Sequence, residues 1–104
     1  MANDVERKEL FNHGLKNLTQ SDWIRVAGKL GISVLESQSG TSHYLTLRDP
    51  KILETSTRKG LITTVTPNLF KEANRSIFKR VLEYCKNNAM TEDDIWRALG
   101  LLKK

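Results

Sequence analysis

The chain is poor in the residues that staple or punctuate a fold. It has one cysteine, Cys85, among 104 residues, so no internal disulfide forms and a reducing cytoplasm is the expected setting. It has two prolines, Pro50 and Pro67, both in stretches that read as connections. No apolar run approaches the ~18 residues of a membrane span. The first residues, Met1-Ala2-Asn3-Asp4-Val5-Glu6-Arg7, lack the charged-then-apolar layout of a signal peptide. No His, Cys and carboxylate cluster has metal-ligand spacing, so neither a metal nor another cofactor is expected. Internal repeats and low-complexity stretches are absent. Acidic residues are also in deficit, with 12 Asp and Glu against 17 Lys and Arg, for a formal net charge of +5. A positive excess of that kind favours an anionic partner, nucleic acid ahead of a membrane surface.

What is present suits one small domain, with roughly 60 to 70% of the unfolded surface buried. Residues 1–18 read as a leader, a short helix carrying Val5, Leu10 and Phe11 and stopping at Asn12-His13-Gly14. Thr19 with Asp22 three residues on makes an acidic capping box. Trp23, Val26, Ala27 and Leu30 then share one helical face, and Gly31 ends the helix. A strand follows over 32–37, a turn at Gln38-Ser39-Gly40-Thr41, and a second strand over 42–48.

Asp49-Pro50 opens a polar connection that runs to Gly60, and Leu61-Ile62-Thr63-Thr64-Val65 is a third, β-branched strand. Asn68 is the expected cap of the longest helix. Its apolar arc is expected to hold Phe70, Ala73, Ile77, Val81, Tyr84 and Cys85, and Asn87-Asn88 to end it. Thr91 caps a last helix with Ile95, Trp96, Leu99 and Leu102 on its apolar side. Trp23, Trp96 and Cys85 read as core residues. The expected fold is therefore α+β: a two-layer domain with a three-stranded antiparallel sheet and helices packed on one face, in the order α-β-β-β-α, plus helical additions at both ends. The expected partition is a leader at 1–18, a core at 19–87 and an extension at 88–104.

Two features carry candidate chemistry. His43 stands at the start of the second strand, beside a Gly-containing turn, on the same alternation as Leu45 and Leu47. Imidazole titrates near neutral pH and can move a proton in either direction. The same placement equally suits a strand-edge histidine held by a hydrogen bond. Ser39, Thr41 and Ser42 are hydroxyl donors for a bound phosphate, or residues that shape the turn. Lys71, Arg75, Lys79 and Lys86 fall on a second arc of the long helix. They are phosphate-backbone candidates, extended by Lys59 and Arg58, unless they form an ordinary solvated face. Arg48 and Lys51 are secondary candidates. His13 lies in the leader, away from the turn.

Residues 19–87 resemble the HicA family of bacterial toxins. The resemblance rests on the apolar helix and strand of 19–37, on Gly40-Thr41-Ser42-His43-Tyr44, and on Leu61 to Pro67 leading into Leu69-Phe70-Lys71-Glu72-Ala73-Asn74-Arg75-Ser76-Ile77-Phe78-Lys79. It implies a double-stranded-RNA-binding-domain-like fold and metal-independent mRNA cleavage, with His43 as the catalytic residue. It implies RNA as one partner and a cognate antitoxin as another. A non-catalytic nucleic-acid-binding module, or a protein-interaction domain of a phage or regulatory protein, is the alternative on the same residues. Nothing in the sequence sets an oligomeric state.

Overall fold

A computed structural model describes residues 4–39, 42–52, 60–67 and 69–102; within these, the side chains of 37–39, 42 and 43 are not described. The Thr19–Asp22 pair starts α2 (Gln20–Leu30) as its chemistry predicts. The Asp22 carboxylate accepts the Thr19 backbone N–H at 2.8 Å, occupying an N–H that the helix itself cannot bond. Trp23, Val26, Ala27 and Leu30 are buried on one face. Gly31 then turns left-handed, at φ 76°, where a Cβ would be strained. Before α2 stand α1 (Asp4–Glu9) and a π-helical turn at Leu10–Gly14.

The three strands are β1 (Ser33–Ser39), β2 (Ser42–Arg48) and β3 (Leu61–Val65), antiparallel in the order β1-β2-β3. β1 begins one residue later and ends two residues later than its apolar pattern suggested. Leu47 pairs with Val34 and Thr63, and Leu45 with Glu36 and Val65, so these residues share the face that the helices cover. The register slips between Leu47 and Arg48 on β2, so that Arg48 pairs with Leu61 and Ile62 has no partner across the strand. The Asp49 N–H closes on the Gly60 carbonyl at 2.8 Å, and Gly60 is left-handed with Ile52 packed where a side chain would begin.

The long helix, α3, spans Lys71–Lys86. The expected Asn68 cap lies outside the described residues. Phe70 is the residue in the cap position, with an extended backbone at φ −128°. That geometry takes Phe70 off the helical wheel and leaves it 61% exposed, not in the core arc expected for it. The buried face of α3 is Asn74, Ile77, Phe78, Val81 and Cys85, with Asn74 bonded to the Leu15 carbonyl and Phe78 packed against Phe11 and Trp96. A second capping box, Thr91 N–H to the Asp94 carboxylate at 2.8 Å, starts α4 (Glu92–Ala98).

The fold is the expected α+β architecture: α2 and α3 lie on one face of the sheet, against β1 and β3, and α4 packs on both helices. The shortest dimension, 17 Å, is that of one sheet and one helix layer. Leu15, Trp23, Leu47, Val65, Val81, Ile95 and Trp96 belong to a single buried cluster, so both terminal segments contribute to the core. No helix among the described residues is long and apolar enough to cross a membrane.

Candidate nucleic-acid interface

At 100° per residue, Lys71, Arg75, Lys79 and Lys86 lie within about 80° of one another around α3 and extend over roughly 22 Å of its length. Among the described residues none of the four has a carboxylate within ion-pair distance, whereas Arg7, Arg25 and Arg97 each do. Lys79 and Lys86 are exposed and Lys71 is half-buried.

Arg75 departs from the expectation of a free phosphate contact. The leader folds back onto it. Arg75 Nη2 donates to Asn12 Oδ1 at 3.2 Å, and its guanidinium carbon stands 5.1 Å from the centre of the Phe11 ring. Its Nε–H is buried with no acceptor among the described residues. Lys79 Nζ stands 6.0 Å from the same ring. The leader is therefore part of this surface, and it brings Arg7, Lys8 and Phe11 beside the α3 cations. Sequence reasoning missed these residues. The signal was a basic pair followed at helical spacing by an aromatic.

Two interactions hold the leader there. Phe11 meets Phe78 edge-on with ring centres 5.6 Å apart, and Phe78 stacks on Trp96 at 4.5 Å. Arg7 makes a two-pronged ion pair with Asp93, Nε at 3.0 Å and Nη2 at 3.2 Å, and Asp93 is only 2% exposed. Asn74 fixes the floor below. Its side-chain oxygen accepts from Trp23 Nε1 at 2.9 Å, and its amide donates to the Leu15 carbonyl at 2.9 Å and to the Leu18 carbonyl at 3.3 Å.

His43 pairs with Gln38 and Ser42 with Ser39 at the hairpin end of β1 and β2. Their side chains fall outside the described residues, as do Thr41, Arg58 and Lys59 entirely. The register still sets their neighbourhood. Leu45 is opposite Val65, the last residue of β3, and α3 begins six residues later. The hairpin turn and the Lys71 end of α3 therefore share one end of the sheet, and the basic stripe runs away from His43 along α3.

Other candidates are placed elsewhere. Arg48 is buried, and Lys51 Nζ donates to Asn88 Oδ1 at 2.6 Å. His13 is exposed with its Nε2 3.8 Å from Glu9. Cys85 is fully buried, and burial pushes its thiol up to about 11, with a smaller contribution from Asp94, so at neutral pH it is no nucleophile. No family model, curated protein or solved structure matches the chain.

Proposed function

We propose that this protein binds RNA through the basic face of α3 and acts as a HicA-like endoribonuclease with His43 as its proton carrier. One observation carries the reading. An α-β-β-β-α domain presents a row of cations along α3, without ion-pair partners among the described residues, and the row starts at the end of the sheet where His43 stands. Lysines without carboxylate partners are available to meet phosphates, and a helix of this length suits a double-stranded or folded RNA read by shape.

The chemistry needs few groups. The RNA 2′-hydroxyl attacks the adjacent phosphorus. His43 takes the hydroxyl proton and returns it to the departing 5′-oxygen, so that an O–P bond forms, an O–P bond breaks and a cyclic phosphate remains. Ser42 donates to the phosphate, and Lys71 supplies positive charge beside it. A cytoplasmic setting, where mRNA is available, follows from this substrate. A cognate antitoxin would have to cover His43 and the cationic face.

The test is expression and cleavage. Wild type arrests growth and cuts RNA without added metal. His43→Ala slows cleavage by about a hundred- to ten-thousand-fold and restores growth, while RNA binding persists. Normal growth at confirmed soluble expression, with no cleavage of purified RNA, overturns the enzyme reading and leaves a binding module.

A further inference from the structure

Beside the basic stripe, α1, the π-helical turn, α3 and the start of α4 border a shallow, open cleft of ~340 Å³. Phe11, Phe78 and Leu82 make its apolar floor, and Arg7, Lys8, Lys79 and Glu92 stand around it. The Arg7 charge is already matched by Asp93 and Asp4. Glu92 remains a negative group of the rim, since the Trp96 indole N–H that its Oε2 accepts at 2.9 Å is a neutral donor. Lys8 and Lys79, both exposed and without ion-pair partners among the described residues, outweigh it and leave the rim net positive. Lys79 belongs at once to the rim and to the α3 stripe, so the cleft opens directly onto the surface assigned to the phosphate backbone.

From this arrangement we infer that the cleft takes one unpaired nucleotide of the bound RNA. The base lies against Phe11 and the floor, and its phosphate sits between Lys8 and Lys79. This rests on the RNA-binding reading above. Charge and size select the occupant. The net positive rim asks for an anion and the aromatic floor for a flat apolar body, and a nucleotide joins the two. The volume is at the lower end of the range for small-molecule pockets, ~300–1,000 Å³, which suits a single base and not the row of side chains that a docking helix inserts. A duplex keeps its bases stacked inside, so only a bulge, loop or end can supply one. The protein would therefore prefer folded RNA with an unpaired base to a continuous duplex.

The experiment compares an RNA hairpin carrying a single-nucleotide adenine bulge with the same hairpin fully paired. A fluorescent adenine analogue occupies the bulge. Wild type binds the bulged hairpin more tightly and alters the analogue's fluorescence as the base stacks. Phe11→Leu keeps an apolar side chain against Phe78 but removes the flat ring. It should cost at least about 5-fold in affinity for the bulged hairpin, the low end of base–aromatic stacking, and little for the paired one. Phe11→Trp restores the preference. Lys8→Gln, at an exposed site outside the core, lowers affinity for the bulged hairpin without touching the fold. If wild type binds both hairpins equally and Lys71→Gln weakens both, the RNA reading stands and the nucleotide site is overturned. If neither hairpin binds, both fail. If an acidic amphipathic peptide fills the cleft while the hairpins are not distinguished, the cleft belongs to a protein partner and the inference is likewise overturned.

Discussion

Asn74 concentrates more of the fold than any charged residue on its helix. Two buried polar groups, the Trp23 indole N–H and the Leu15 carbonyl, and a partly buried one, the Leu18 carbonyl, meet on one side chain. Asn74→Ala leaves all three short of a partner. Each unmet buried group costs ~1–3 kcal/mol, so with partial relaxation the expected loss is about 3 kcal/mol, read from urea denaturation followed by tryptophan fluorescence. Cys85 makes a second prediction at this scale. Its thiol is raised from 9.0 to about 11 chiefly by burial. The unfolded chain therefore ionises first. Stability contributed by the buried thiol is whole below pH 9.0 and is lost as pH rises toward about 11. Stability measured against pH should fall over that window in wild type and fall less in Cys85→Ala.

At the scale of elements, α3 does two tasks with two arcs. One arc is buried in the core and the other carries Lys71, Arg75, Lys79 and Lys86. The second arc makes a prediction about salt. If each lysine meets a phosphate, log affinity for a duplex RNA falls linearly with log salt concentration. Changing Lys71, Lys79 and Lys86 to Gln should make that slope shallower by about one for each phosphate that no longer meets a lysine. Measured by fluorescence anisotropy across a salt series, an unchanged slope would place the phosphates elsewhere. Arg75 is expected to contribute less than its neighbours, because Asn12 and Phe11 already hold it. The elements themselves were largely legible in the chain. Thr19 with Asp22, Gly31 and the apolar spacing of 23–30 define α2 because capping and helical period are local. The limits of β2 and β3 were legible for the same reason. The start of α3 was not. Two residues near Pro67 compete for the cap, and the choice between Asn68 and Phe70 turns Phe70 from a core residue into an exposed one.

The whole molecule is held by its ends. Leu15 from the N-terminal side, and Ile95, Trp96 and Leu99 from α4 and its cap, are buried in the same cluster as Trp23 and Val81. Burying each of these three C-terminal side chains contributes ~1.5–3 kcal/mol, so together they match a large part of the ~5–15 kcal/mol that keeps a domain folded. A chain truncated after Asn88 should therefore lose its cooperative thermal transition. A truncation that still unfolds cooperatively would show that residues 1–88 stand without α4. The sequence by itself determined the local facts: which stretches are helix or strand, their order, the antiparallel sheet and the positive charge of α3. These follow from period, capping and turn chemistry, which act between residues close in the chain. Tertiary structure alone decided that the buried arc of α3 takes in Asn74 and Phe78, that the leader lies over Arg75, and that Arg7 reaches Asp93, 86 residues away. The reason is that amphipathic spacing says a helix has a buried side but not which neighbour covers it. That is settled only when the ends of the chain find the surface that they fill.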